Sequence, residues 1–366
     1  MEFLPARGYE VTYLYTLDGY HTFHVDSGDD KDILLTRPQL RDFLLSSGCT
    51  HILGQEAVFS ATFIKMIKEL NLSDIKLVNQ YHNTLLYFEK KLNWHFLKLT
   101  WLTEKSFKTR LGVAIRAFTY PLWRLKVMHA QQSIYRYNYS RSDMSVFLSE
   151  HELPIMEKIV GESPLKKGCA IPNPLSWAEI AAPEILQKKQ REVLIVSRIY
   201  NFEKRIDLAL KVWKRLQPYV LSNGWTLRIV GDGIHKEYLE AMAIRMGLKN
   251  IVWEGRRDPR PYYERASVFM MTSCVEGWGL TLTESLQSGV VPVAFDSYSA
   301  VRSIISNGEN GYLTRPMKVK EMADRIFDLM IDSEKREKMA LKGIESAYRF
   351  SIDKIMDQWA EMLDKL

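Results

Sequence analysis

The chain has 366 residues, more than one hydrophobic core normally supports, so its length favours two domains. Hydrophobic residues make up 46% of it and charged residues 26%, which is typical of globular proteins and excludes a disordered or fibrous chain. It contains no apolar run of membrane-spanning length and no secretory leader pattern, and Cys49, Cys169 and Cys274 form no metal or redox motif, so we expect a cytoplasmic protein with reduced thiols.

Strands and helices alternate in the first half of the chain. Apolar runs predict strands at residues 11–16, 50–53, 75–79 and 143–150. Helices are expected at 39–47 and at 56–70, where apolar residues recur at helical spacing. This alternation indicates a parallel sheet covered by helices.

The alternation resumes after a proline-interrupted linker at about residues 175–188. Continuous apolar strands are predicted at 192–197, 227–233, 250–255 and 267–273, with helices at 205–216 and 235–246. Strands without polar alternation are covered on both faces, as in α/β folds. We therefore predict two Rossmann-like domains joined near residue 180, followed by an amphipathic terminal helix that must pack on one of them.

Polar side chains follow two strands of the second predicted sheet. The first of these strands delivers Arg198 and then Lys204, and the last delivers Glu276 with the turn Gly277-Trp278-Gly279. Ligands of open parallel sheets bind outside the carboxyl ends of the strands. A glycine turn that opens a helix offers free N–H groups and a positive dipole end, which suit a phosphate, and Glu284 inside that helix could reach a ribose.

Each of these features alone has an ordinary explanation. Paired glutamates arise by chance, an Arg and a Lys at a strand end usually form a solvated rim, and a glycine turn often serves only chain geometry. Their joint placement at the expected strand ends is what favours a nucleotide-diphosphate site.

Residues 192–316 resemble the donor-binding half of the retaining GT-B glycosyltransferases of family 4. The resemblance rests on six segments in the family's order and spacing: SRIYNFEKR (197–205), IVGDG (229–233), WEGRR (253–257), YYERASVFMMTS (262–273), EGWGLTLTESLQSGVVPVAF (276–295) and NGENGYL (307–313). It implies two Rossmann-like domains facing across a cleft, residues 1–180 on the acceptor side and 181–348 on the donor side, with a helix at 349–366 crossing back to the first domain.

The resemblance also implies a role for each matched residue. Arg198 and Lys204 would neutralise the donor diphosphate, and Glu276 would bind hydroxyls of the donor sugar. Glu284 would hold the ribose, and Gly255 and Arg256 would contact the base. The remaining donor-binding positions are Gly277, Trp278, Gly279, Leu280 and Thr281. No acidic pair for a metal accompanies them, so the nucleotide sugar is expected as a substrate with neither metal nor cofactor.

The first domain resembles the family less closely. The segment KLVNQYHN (76–83) is similar to the family's strand-to-histidine segment, which would place His82 near the donor sugar, although a lone histidine is as often structural. The family's first strand, glycine-rich loop and helix have no counterpart before residue 6, so we expect the acceptor domain to lack its first strand.

A basic stretch at residues 88–129 carries nine Lys or Arg and two Glu, interleaved with aromatic residues. One interpretation is a pair of helices with a solvated face. Another is peripheral contact with an anionic membrane, which a lipid-linked acceptor would suit. Nucleic acid is a third, but no recognition module accompanies the stretch, so we expect no nucleic-acid partner.

These observations predict a retaining glycosyltransferase of the hexosyltransferase type that moves a sugar from a nucleotide-diphosphate donor to a glycan or lipid-linked acceptor in cell-surface polysaccharide synthesis. The alternatives are a nucleotide-sugar epimerase or a phosphorylase of the same fold, and a non-catalytic GT-B scaffold. The sequence does not identify the donor sugar, the nucleotide base or the acceptor.

Overall fold

The structure is a computed structural model that describes residues 4–15, 22–26, 33–55, 61–104 and 106–366. It divides into two compact units. Unit 1 comprises Met1–Leu85, Val127–Pro172 and Ile352–Leu366, and unit 2 comprises Leu86–Lys126 and Asn173–Ser351. Residue 16, residues 56–60 of a predicted helix and Lys105 of the basic stretch lie outside the described residues.

The described strands, in chain order, are β1 (Tyr13–Tyr15), β2 (Thr22–Asp26), β3 (Ile33–Thr36), β4 (His51–Gly54), β5 (Lys76–Tyr81), β6 (Met144–Phe147), β7 (Gly168–Ala170), β8 (Glu192–Val196), β9 (Thr226–Val230), β10 (Ile251–Gly255), β11 (Val268–Met271), β12 (Val291–Phe295) and β13 (Tyr312–Thr314).

The described α-helices are α1 (Arg37–Ser46), α2 (Thr62–Glu69), α3 (Tyr87–Lys91), α4 (Trp94–Thr103), α5 (Phe107–Phe118), α6 (Tyr120–Arg141), α7 (Leu153–Val160), α8 (Asn201–Lys204), α9 (Ile206–Asn223), α10 (Lys236–Arg245), α11 (Arg260–Arg265), α12 (Leu280–Gln287), α13 (Val301–Ile304), α14 (Val319–Ile331), α15 (Ser333–Ala347) and α16 (Ile352–Asp364).

Unit 1 contains a small antiparallel sheet that the sequence does not predict. Its strands pair in the order β1-β2-β3, whereas residues 11–16 are predicted to join the parallel sheet. That prediction is wrong for a geometric reason. Only residues 16–21 separate β1 from β2, and a parallel crossover needs a dozen or more residues, while antiparallel strands accept a short connection.

The main sheet of unit 1 is parallel, with the order β4-β5-β6-β7. Val78 of β5 and Val146 of β6 are fully buried beneath α16, whose Ile355 and Trp359 belong to the same apolar cluster. Arg7 binds the same helix from its solvent side, through Asp353 at 3.1 Å and Asp357 at 3.0 Å. The terminal helix therefore packs within unit 1.

Unit 2 is built on a six-stranded parallel sheet with the order β10-β9-β8-β11-β12-β13. Val268 of β11 pairs with Val193 of β8, so the strand order reverses between these two strands. Both faces are covered: the four residues of β11 and the five of β12 are all buried, and Trp213 of α9 fills the core on one side. Continuous apolar strands produce this arrangement because neither face meets water.

Residues 86–126 group with unit 2, although the sequence assigns them to the domain spanning 1–180. The reason is a set of contacts with α8. His95 lies 3.3 Å from the carbonyl oxygen of Asn201, and the rings of Phe96 and Phe202 lie 5.0 Å apart. The other boundary between the units falls at 172/173 rather than near 180.

Candidate active site

The candidate residues of unit 2 gather where the strand order reverses. Arg198 and Lys204 follow β8, and Glu276 follows β11, its neighbour at the reversal. In a doubly wound sheet the two connections leaving this point run to opposite faces and open a crevice at the carboxyl ends of the strands. The topology therefore brings both segments to the place where such sheets bind ligands.

Lys204 and Glu276 form an ion pair that is largely buried. The Lys204 Nζ lies 2.5 Å from Oε1 of Glu276, and their side chains are 17% and 14% exposed. Two hydrogen bonds fix the backbone around the pair: the Thr272 hydroxyl donates to the Lys204 carbonyl at 3.0 Å, and the Cys274 N–H donates to the Glu203 carbonyl at 2.8 Å. The segments that follow β8 and β11 are thus tied together, which fixes the backbone on both sides of the pair.

Arg198 lies on the exposed side of the same loop. Its guanidinium donates to Oε2 of Glu203 at 3.2 Å and stands 4.9 Å from the ring centre of Tyr200. With 65% of its side chain exposed, Arg198 keeps most of its donors available to a ligand.

Glu203 is the centre of a charged cluster that the sequence analysis missed. Besides Arg198, its carboxylate accepts from the Tyr87 hydroxyl at 2.7 Å and pairs with the Lys91 ammonium at 2.9 Å. Burial raises the pKa of Glu203, but the hydrogen bonds from Lys91 and Tyr87 outweigh it, so the pKa is lowered. Burial likewise opposes the charge on Lys91, yet its bonds to Tyr87 and Glu203 leave its pKa raised.

The loop after β8 approaches the turn after β9 closely, and only glycine permits this. Gly231 has φ +142°, and a Cβ there would stand 1.9 Å from the Ser197 carbonyl oxygen. The Ile199 N–H in turn donates to the Asp232 carbonyl at 2.7 Å. The segment IVGDG therefore supports the loop that carries Arg198.

Helix α12 begins directly after Gly279, whose φ of +95° favours glycine. A Cβ at this position would also stand 2.5 Å from the hydroxyl of the buried Tyr298. The first N–H groups of a helix lack carbonyl partners, and the helix dipole makes them attractive to an anion. Leu280 and Thr281 supply those groups here, four and five residues beyond Glu276 along the chain.

Glu284 lies inside α12 and is largely buried. Its carboxylate accepts a hydrogen bond from the Ser176 hydroxyl at 2.6 Å, and the Tyr263 hydroxyl stands beside it. Burial raises its pKa, and the two hydroxyls only partly oppose that shift. No cation pairs with Glu284 among the described residues. A carboxylate among hydroxyl groups suits a neutral polar ligand such as a diol.

Comparison with known proteins now identifies this part of the chain. Residues 178–346, which lie entirely within unit 2, match the family model described as Glycosyl transferases group 1. The second unit carries a group 1 glycosyltransferase domain.

Two curated relatives show how far the similarity extends. An uncharacterised glycosyltransferase of Haemophilus influenzae is 27% identical over 182 residues, which are 49% of this chain and 51% of the relative. The poly(glycerol-phosphate) alpha-glucosyltransferase of Bacillus subtilis is 25% identical over 228 residues, 61% of this chain and 33% of the relative. The chain thus matches about half of the length of the first relative and a third of the second.

Among solved structures, Anabaena HepE in complex with UDP superposes with a TM-score of 0.64 at 19% identity, covering 90% of this chain and 82% of HepE. At that identity the likeness concerns the fold. The two parallel-sheet units accordingly form a GT-B fold of two Rossmann-like domains.

The remaining predicted donor-site residues of the glycosyltransferase domain differ in burial. Trp278 is 3% exposed, its ring stands 5.2 Å from that of Phe350, and its Nε1 has no partner among the described atoms. Its side chain therefore packs inside the domain, so Trp278, like Gly277, offers only backbone groups at the turn. Gly255 is the last residue of β10, and its carbonyl accepts from the Gly231 N–H at 2.8 Å, with Arg256 exposed beside it.

His82 lies in unit 1, directly after β5, outside the glycosyltransferase domain. Its imidazole is partly buried, Nε2 has no hydrogen-bond partner among the described residues, and burial lowers its pKa. That nitrogen is itself buried, so the structure does not present it to solvent. Its role at the donor sugar stays a prediction.

Within the described residues, no three His, Cys, Asp or Glu side chains are arranged to hold a metal ion. In that same part of the chain, no helix combines the length and apolarity needed to cross a bilayer.

Proposed function

We propose that this protein is a retaining glycosyltransferase that moves a sugar from a nucleotide-diphosphate donor to a glycan or lipid-linked acceptor in cell-surface polysaccharide synthesis. The observation that carries the proposal is the Lys204–Glu276 ion pair at the strand reversal of a group 1 glycosyltransferase domain. It sets a fixed cation and a fixed carboxylate together where a doubly wound sheet binds its ligand.

The chemistry assigned to the site is electrostatic. Bond cleavage leaves negative charge on a nucleoside diphosphate, and fixed cations and N–H groups lower the energy of that charge as it develops. Arg198 and Lys204 would supply the cations, and the N–H groups of Gly279 and Leu280 would meet the distal phosphate. Because these groups provide the positive charge, we propose that the reaction needs neither metal nor cofactor.

The carboxylates would divide the rest of the donor between them. Glu276, held by Lys204, would accept hydrogen bonds from sugar hydroxyls, and Glu284 would do the same for the ribose. His82 of unit 1 would act at the donor sugar. The backbone at Gly255 and Arg256 would contact the base.

The relatives support the finer parts of the proposal. Relatives include the Bacillus subtilis poly(glycerol-phosphate) alpha-glucosyltransferase and the Staphylococcus aureus poly(ribitol-phosphate) alpha-N-acetylglucosaminyltransferase, both named for alpha transfer to a polyol-phosphate polymer. A Campylobacter jejuni relative is named for an undecaprenol-linked acceptor. A Streptococcus gordonii relative is named for UDP-N-acetylglucosamine, which supports a UDP-sugar donor. We therefore propose a UDP-sugar donor and retention of configuration, together with a cytoplasmic location and peripheral membrane contact through residues 88–129.

Thermal shift across UDP-, GDP- and ADP-sugars tests donor binding first, with UDP-sugars expected to stabilise the protein. Turnover of the stabilising sugar then separates the alternatives. Conversion without an acceptor would indicate an epimerase, dependence on free phosphate a phosphorylase, and binding without turnover a scaffold. Proton NMR of the product's anomeric centre tests retention. No stabilisation by any nucleotide sugar would contradict the proposal.

A further inference from the structure

An apolar stripe faces solvent on α5 and the first turns of α6. Six side chains form it, and all are exposed, from 51% at Leu111 to 92% at Phe118. The members of this stripe are Phe107, Leu111, Ile115, Phe118, Leu122 and Leu125.

Helical spacing places the stripe on one face. Its members recur at intervals of four or three residues, and a rotation of about 100° per residue puts all six within an arc of about 80°. Thr119 is a turn residue between the two helices, with φ −95° and ψ 16°. Two hydrogen bonds of helical spacing still cross it, since its N–H donates to the Ile115 carbonyl and its carbonyl accepts from the Trp123 N–H, each at 2.9 Å. On both sides of this turn, the stripe side chains of the described residues are exposed to solvent.

This orientation is the reverse of that of an ordinary surface helix, which turns its apolar face toward the core. The inner side of the same region is satisfied separately, by the buried Val113 of α5 and by Leu97 and Leu99 of α4. The six side chains of the exposed stripe therefore do not contribute to the core of unit 2. Contiguous exposed apolar surface of this kind marks an interaction site.

The charges next to the stripe are mainly positive, and Glu89 of α3 pairs with one of the cations, Arg124, at 3.5 Å. Residues 105–126 contain six Lys or Arg and neither Asp nor Glu. On the same helical wheel, Lys108 and Lys126 flank the stripe on one side, and Arg110 and Arg124 flank it on the other. Two tryptophans of α4, Trp94 and Trp101, are also about half exposed.

We propose that this face docks the protein on an anionic lipid bilayer, with the stripe inserted to the depth of the headgroup and acyl boundary. The cations would lie against lipid phosphates, and the tryptophans would lie at the interface, where amphipathic rings are favoured. A bilayer fits better than a protein groove because the stripe is open along its whole length and has cations on both sides. This inference rests on the peripheral membrane contact proposed above and narrows it to one face, whereas docking itself does not depend on transferase activity.

Vesicle flotation of the full chain tests the proposal. The protein should float with vesicles of phosphatidylcholine and phosphatidylglycerol at low salt, and float less with phosphatidylcholine alone or at high salt. The variant F107S/F118S should lower the partition coefficient about tenfold or more, because it removes the two most exposed aromatic side chains. Charge reversal in K108E/K126E should weaken binding to the anionic vesicles only.

The matched control is I234S/I244S, which removes two apolar side chains that are each 78% exposed elsewhere in unit 2 and should leave flotation unchanged. Absence of wild-type flotation would overturn the proposal, as would equal loss in both double variants. So would light scattering that shows a dimer broken by F107S/F118S in a protein that does not float. Stabilisation by UDP should persist in F107S/F118S, so a failure of docking is distinguishable from a failure of donor binding.

Discussion

Replacing Lys204 by methionine removes the ammonium of the central ion pair and keeps most of the side-chain volume. At the 2.5 Å separation from Glu276, an effective dielectric constant of about 20 gives a gross attraction of about 7 kcal/mol. Desolvation of two side chains that are less than one-fifth exposed offsets most of this attraction. We expect a coupling of about 1–3 kcal/mol in the free energy of unfolding, measured by a cycle of K204M, E276Q and the double variant.

Ligand binding should separate the two partners. K204M should weaken UDP binding and lower kcat/KM for the donor about 100- to 1,000-fold, because it removes a cation from the leaving group. E276Q should lower turnover too, yet leave UDP affinity within about threefold of wild type, because UDP lacks the sugar that Glu276 would bind.

Isothermal titration with UDP and with the UDP-sugar measures both effects, and equilibrium unfolding in urea measures the coupling. K214M is the control, since Lys214 is an exposed lysine on α9 of the same unit. The reasoning is refuted if K204M binds UDP as tightly as wild type, or if E276Q weakens UDP binding as much as K204M.

Three further predictions concern the surroundings of the pair. E203Q should lower the free energy of unfolding of unit 2, measured in urea, by about 1–3 kcal/mol and raise the donor KM, because it leaves Lys91 without its buried carboxylate. An unchanged KM would show that Glu203 does not position the donor site. G279A should lower both stability and donor turnover, because Gly279 has a positive φ and the added Cβ would stand 2.5 Å from a tyrosine hydroxyl. The control G112A, on a helix with open space around the new methyl group, should leave stability unchanged or raise it. Equal effects of the two variants would contradict this account. The pKa of Glu284 is raised, so the folded state holds the carboxyl proton to higher pH than the unfolded chain does. The stabilising contribution of this group is therefore complete below the ordinary carboxyl pKa and is lost as pH rises through the raised value. In urea unfolding across that pH window, the free energy of unfolding should fall more steeply for wild type than for E284Q.

Four of the six parallel strands described in unit 2 were predicted from the sequence because they are short, mainly apolar runs, whereas β12 and β13 were not predicted. The predicted strand at 192–197, for example, is observed as Glu192–Val196. The small antiparallel sheet was not predictable in the same way. Its strands are short: β2 reads TFHVD, and the apolar run of β3, in ILLT, is only three residues long, so neither stands apart from loops.

The candidate site divides along similar lines. Arg198, Lys204 and Glu276 follow strands whose order is fixed by topology, so their strand ends could be located from the sequence. The cluster around Glu203 could not, because Tyr87 and Lys91 lie 116 and 112 residues away from it along the chain. The only available signal was the position of Glu203 next to Lys204 in the quoted segment SRIYNFEKR.

The grouping of α16 with unit 1 has a consequence for how the protein is made. The chain passes between the two units after Leu85, Lys126, Pro172 and Ser351, so no single cut releases either unit whole. On the ribosome, every residue of unit 2 is synthesised before Trp359 can reach the sheet of unit 1. The nascent chain must therefore hold Val78 and Val146 uncovered while the later unit folds, and that interval is where chaperone binding is expected to concentrate.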